Sequence, residues 1–201
     1  MKKLYILGGL AGFLALGACT EHEVIPPPVP LVDLNCECDM VIDDTSYVYD
    51  DTCKYFSTKN IVTGGVSSAQ YSTTINDDVV PGTFIMEIRS INWTDDGSNN
   101  PSLSEWKAFL EDNPTPGYSD NIGHNGVELR WLDEDGEMWV SDTMQGVCME
   151  EFVFNTLIQE SDTLGDWMQF DATMSCRMVR VSDGAEKCLT EGHVRSAFKL
   201  E

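Results

Sequence analysis

The chain has 201 residues, 34 of them Asp or Glu against 12 Lys or Arg, for a formal charge of −22. That balance excludes nucleic-acid binding through phosphate neutralisation, and docking on anionic lipid through a basic patch. A hydrophobic share of 42% with 9% aromatics excludes a wholly disordered chain, and the length suits one domain with a sizeable core plus a small appendage.

Met1-Lys2-Lys3 form a basic start, Leu4 to Leu16 an apolar run, and Gly17-Ala18 a pair of small residues before Cys19. Charge, short apolar core and small residues make the three-part secretory pattern. The run is too short and too glycine-punctuated for a comfortable membrane span. Leu16-Gly17-Ala18-Cys19 resembles the lipobox of bacterial lipoproteins. The resemblance implies that residues 1–18 are a signal peptide, cut just before Cys19, and that Cys19 carries lipid on its sulfur and its amine. Several acyl chains on one residue attach a protein stably, where one chain is marginal. Thr20 follows the cysteine, which resembles lipoproteins sorted to an outer membrane, on its periplasmic or surface-exposed face. Glu21 and Glu23 resemble the acidic surface-export signals of Bacteroidota lipoproteins. With Lys2 and Lys3 in the leader, ten bases face 34 acids from Cys19 onward, and the formal charge becomes −24.

Residues 19–32 contain Pro26, Pro27, Pro28 and Pro30, so they read as a polyproline tether. At about 3.1 Å per residue it would hold a domain roughly 40 Å off the bilayer.

Cysteines stand at 19, 36, 38, 53, 148, 176 and 188. With Cys19 lipidated, an even set remains in an oxidising setting: Cys36, Cys38, Cys53, Cys148, Cys176 and Cys188. Three disulfides are the expectation, with the connectivity open. Cys36 and Cys38 are two apart, so on a strand they share a face and bond to different partners. Cys36-Glu37-Cys38 with Cys53 lacks the usual zinc spacing, and no histidine lies nearby in sequence. Residues 33–60, Cys-rich and acidic, with Tyr47-Val48-Tyr49 as a strand, read as a stapled N-terminal extension of a β-rich domain over 61–201.

Alternation dominates after residue 60. Phe84, Met86 and Ile88 share one strand face, with Ile85, Glu87 and Arg89 opposite. Ser102-Leu103-Ser104-Glu105 fits a helix capping box. Trp106, Phe109 and Leu110 then make one apolar helix face, and Asn113-Pro114 ends it. Gly126 to Ser141 reads as a hairpin around Asp135-Gly136. A three-residue loop with Gly136 at a bulge would place Trp131 opposite Trp139, and a two-residue turn would pair Leu132 with Trp139. Phe152, Phe154 and Ile158 repeat the strand pattern. Met168, Phe170, Ala172, Met174, Cys176 and Met178 then alternate with polar residues, the clearest half-buried strand in the chain. Its face points Cys176 inward, where a disulfide would join two layers. Ser182-Asp183-Gly184 is a turn, and Val194, Phe198 and Leu200 define a closing strand with His193, Arg195 and Lys199 opposite. The fold class expected is all-β: an antiparallel β-sandwich or open barrel with one short helix, stapled by disulfides.

From about residue 70 onward, four stretches resemble small Bacteroidota lipoproteins of unknown function: Trp106 to Leu110, Gly126 to Gly136, Phe170 to Cys176, and Leu189 to Gly192. These are strand and turn patterns, so the resemblance implies a β-rich lipoprotein domain and carries no activity. In that group the position of Glu191 more often holds Asn, a turn preference.

Catalytic signatures are missing. No GxSxG elbow, HExxH or phosphate-cradling glycine loop occurs. His22, His124 and His193 read as tether, loop and surface residues. Acidic loops raise calcium, which takes six to eight oxygens. The main candidate is Asp95 and Asp96 with Asn99 and Asn100; Asp43-Asp44 with Asp50-Asp51, and Asp77-Asp78, are further ones. None has EF-hand spacing, and Asp, Asn, Ser and Gly are turn formers in any case. Trp131, Trp139 and Trp167 are candidates for stacking on a sugar, against the plainer role of core or cross-strand packing. The expectation is a non-catalytic, membrane-anchored envelope lipoprotein that binds a glycan or an envelope protein, or acts structurally. The alternatives are a calcium-dependent glycan-binding module and a small carboxylate-based hydrolase.

Overall fold

Side chains that alternate between apolar and polar dictate strands with one buried face, and the chain obeys that pattern over most of its length. The computed structural model describes residues 29–94, 97–119, 126–142 and 148–200. Cys19, His22, most of the tether, Asp95, Asp96 and His124 lie outside the described residues. Within them run β1 (Glu37–Ile42), β2 (Thr45–Tyr49), β3 (Thr52–Asn60), β4 (Val66–Asn76) and β5 (Thr83–Thr94). Helix α1 (Leu103–Glu111) follows, then β6 (Gly126–Leu132), β7 (Met138–Ser141), β8 (Glu151–Asp162), β9 (Gly165–Arg180) and β10 (Glu186–Leu200).

All these strands form one antiparallel sheet, in the order β2-β1-β10-β9-β7-β6-β5-β4-β3. The sheet forks at β9. Residues 165–175 of β9 pair with β8, and residues 178–180 pair with β7. Twist then curls the sheet until β3 and β4 return onto β10. There Thr73 Oγ1 lies 2.6 Å from Ser196 Oγ, and the Tyr55 ring meets Trp167 at 5.2 Å. The result is a sandwich-like half-barrel, whose curl buries the apolar face that the alternation creates. Its core takes Met168, Ala172 and Met178 from β9, Met86 and Ile88 from β5, and Leu129 and Trp131 from β6.

Local signals are realised closely. Ser102 accepts from the Glu105 amide while the Glu105 carboxylate accepts from the Ser102 amide, and Trp106 and Leu110 bury the inner helix face. The β6–β7 hairpin uses the three-residue loop: Gly136 has φ +78 and Trp131 pairs with Trp139. The 33–60 segment supplies three strands of the same sheet. β1 lies inside it, between β2 and β10, and β3 is the outermost strand beside β4.

The cysteine expectation needs correction. Two disulfides form, Cys36–Cys53 and Cys148–Cys188, with Cα–Cα distances of 5.8 and 5.5 Å. Cys38 and Cys176 are free and buried. Their separation follows from register. Cys38 is level with Val194 and Ala172, whereas Cys176 is level with Leu189 and Ile42. Four residues along and two strands across amount to about 16 Å, far beyond disulfide reach. Burial pushes the Cys38 thiol well up and the Cys176 thiol up to about 12, so both stay protonated.

Candidate functional site

Strand lengths create the main cleft. β5 has twelve residues and β6 seven, so β6 covers only Thr83 to Arg89. Past Arg89, β5 runs on without β6 beside it. The segment after α1 turns into this gap and is tied to the start of β6: the Ser119 amide donates to the Val127 carbonyl at 2.8 Å, and the Val127 amide to the Gly117 carbonyl at 2.9 Å. Gly126, at φ +147, permits the approach, because a Cβ there would sit 2.4 Å from the Gly117 oxygen. What remains open is a cleft of about 430 Å³ whose lining includes Arg89, Asn92, Phe109, Asn113, Thr115 and Gly126.

Arg89 is the one member of a buried ion cluster that reaches the cleft among the described residues. Glu87 and Glu128 face each other directly across β5 and β6. Like charges in that position repel. Two arginines offset them. Arg89 Nε bonds Glu87, Arg89 Nη2 lies 3.2 Å from Glu128 Oε2, and Arg130 bonds Glu128. Burial is deep: the side chains of Glu128, Arg89 and Glu87 are 0%, 8% and 14% exposed. Glu128 Oε2 lies in an ion pair but accepts no aligned hydrogen bond. Arg89 Nη1 has no partner among the described residues. Two glutamates and two arginines leave the cluster neutral while fixing the Arg89 guanidinium at the cleft.

A second polar surface lies on β8, β9 and β10. Asp171 accepts from Asn155 Nδ2, Arg195 Nε and His193 Nε2, each at 3.0 Å. Burial opposes its ionisation, but these bonds outweigh it and hold the carboxyl below the usual range. The His193–Asp171 pair ties β10 to β9, and no hydroxyl among the described residues hydrogen-bonds His193.

The tryptophans expected as a stacking platform are not one. Trp131, Trp139 and Trp167 are 0%, 3% and 5% exposed. Each indole N–H is spent internally, on Tyr49 Oη, Asp133 Oδ2 and Asp162 Oδ1. Lys187 covers the rings of Trp131 and Trp139, and Lys199 covers Trp167. Trp167 sits on the polar face of its strand, yet Tyr55 of β3 folds over it.

Of the calcium candidates, Asn99 is exposed and Asn100 partly buried. The amide oxygen of Asn100 accepts from the Lys59 ammonium at 2.5 Å, so a cation of this chain already occupies that ligand position. Asp77 Oδ1 accepts from the Val79 and Val80 amides, which is turn chemistry, and Asp43 Oδ1 accepts from the Cys188 amide of β10, a long-range tie. Among the described residues no group of three His, Cys, Asp or Glu is placed to hold a metal.

No protein-family model matches this chain. Neither a curated protein nor a solved structure matches it either. The buried cluster had a signal in the sequence: Glu87-Ile88-Arg89 and Glu128-Leu129-Arg130 are two Glu-x-Arg pairs, which alternation places on matching strand faces. Their adjacency depends on β5 pairing with β6 across α1, and that is a long-range fact.

Proposed function

We propose that the protein is a lipid-anchored envelope lipoprotein whose β domain acts as a non-catalytic binding module. The pairing of four distant cysteines into two disulfides carries the reading, because such bonds persist in oxidising compartments outside the cytosol. The Leu16-Gly17-Ala18-Cys19 motif supplies the route to that compartment and the anchor. Among the described residues no helix is long and apolar enough to cross a membrane, so attachment in this reading rests on the lipid at Cys19. The binding reading is supported by buried charges that are paired with one another rather than left poised for proton transfer.

Expression of the full chain in a Gram-negative host, followed by fractionation and mass spectrometry of the N-terminal peptide, tests this. The expected product begins at Cys19, carries acyl chains and sediments with membranes. Cys19→Ala should release the protein to the soluble fraction. Alkylation in denaturant should find two thiols before reduction, Cys38 and Cys176. An uncleaved, unacylated chain with every cysteine reduced would overturn the proposal.

A further inference from the structure

We infer that the cleft at the end of β5 binds a neutral, hydroxyl-rich ligand of saccharide type, with the Arg89 guanidinium as its central hydrogen-bond donor. The inference deepens the binding-module reading and rests on it. The first support is the lining. On a chain with 34 acids, the described residues that line the cleft include no carboxylate and a single charged group, Arg89. Around it stand the amides of Asn92 and Asn113 and the hydroxyl of Thr115, all neutral. Asn92 Nδ2 donates one hydrogen to the Ser90 carbonyl and Asn113 Nδ2 one to the Phe109 carbonyl, which orients both amides; their oxygens can accept from a ligand hydroxyl and each nitrogen keeps a second hydrogen to donate.

The second support is the state of Arg89. Its position is set by Glu87 and Glu128, so it does not have to be ordered on binding, a saving that raises affinity. Those same glutamates cancel its charge. An anionic ligand would gain hydrogen bonds but no net attraction, and it would approach a strongly negative molecule. A neutral oxygen takes the Nη1 hydrogens without that penalty. Phe109, half-buried at the wall, offers an apolar surface to the C–H face of a ring. The volume, about 430 Å³, falls in the range of small-molecule sites. The tryptophans, sealed in the core, have no part in it.

The experiment is titration of the full chain, in detergent, with neutral disaccharides of glucose, galactose, mannose and N-acetylglucosamine. Galacturonic and glucuronic acid disaccharides are the charged controls, and calorimetry and saturation-transfer NMR are the readouts. At least one neutral disaccharide should bind saturably, and uronates about tenfold or more weaker. Arg89 substitutions endanger the fold, because they strand Glu128. The informative variants are therefore Asn92→Ala and Thr115→Val at the cleft rim, which should each weaken binding several-fold at unchanged melting temperature. Three outcomes would overturn the inference: no saturable binding of any neutral sugar at millimolar concentration, uronate binding as tight as neutral binding, or rim variants without effect. Cys19→Ala leaves the cleft untouched, so loss of anchoring and loss of sugar binding report separately on the two proposals.

Discussion

Glu128 shows how a single residue shapes the molecule. A carboxylate with no exposure is tolerable only because two guanidiniums reach it, and removing one partner of a buried pair costs about 3 to 5 kcal/mol. Glu128→Gln should therefore destabilise the protein by about 3 kcal/mol. Urea denaturation, read as a lower midpoint at unchanged slope, checks it. Asp133 gives a pH test. Burial opposes its ionisation, but bonds from Trp139 Nε1 and from the Glu137 and Asp135 amides prevail, and its carboxyl is held below the usual range. A depressed folded value means the stabilisation is complete above the ordinary carboxylate value, about 3.9, and disappears as pH falls through the lower folded value. The melting temperature should drop in that acid window, and Asp133→Asn should flatten the drop.

At the scale of elements, three non-glycine residues among those described take positive φ: Asp43 and Asp44 in the β1–β2 turn, and Glu191 in the β10 bulge. The register with β9 shifts between Leu189 and Gly192, and Glu191 there adopts φ +51. A left-handed backbone costs an ordinary L-residue about 1 kcal/mol, and Asn tolerates it better. Glu191→Asn should raise stability by about 0.5 to 1 kcal/mol, measured as a shift in thermal midpoint. Local elements were the legible part of the sequence. The capping box, the hairpin around Asp135-Gly136 and the inward face of β9 depend on neighbours a few residues away, and each is realised. The sequence left the hairpin register open between two turns, and the structure takes the one that pairs Trp131 with Trp139. Failures came where distant strands decide. Trp167 sits on the polar face of β9, and no local pattern announces that Tyr55 covers it. Cys38 and Cys176 have the burial of disulfide partners and the wrong register. The cleft was invisible for the same reason, since it exists only because β6 stops short of the end of β5.

Across the whole molecule, disulfides bind remote parts of the curled sheet. Cys36–Cys53 joins the start of β1 to β3, whose strands stand near opposite ends of the sheet order. Cys148–Cys188 joins the lead-in to β8 with β10. For loops of 17 and 40 residues, chain entropy assigns the two bonds about 3 and about 4 kcal/mol. Paired Cys→Ala replacements should lose stability in that order, the second more than the first, by chemical denaturation under non-reducing conditions.

The position of β1 also imposes a timetable. Its inner neighbour is β10, and the side chains of Glu37 and Arg195 that meet there are 158 residues apart in the chain. A chain emerging from its N-terminus holds β1 and β2 as a bare hairpin, and such a hairpin is marginal in water. Closure waits until β9 and β10 have arrived. Until then β1 has only β2 beside it, and its other edge stays unpaired. A chain shortened before Glu186 should stay unfolded however long it is given, and the tempo of the complete chain should be slow, as befits contacts this remote in sequence.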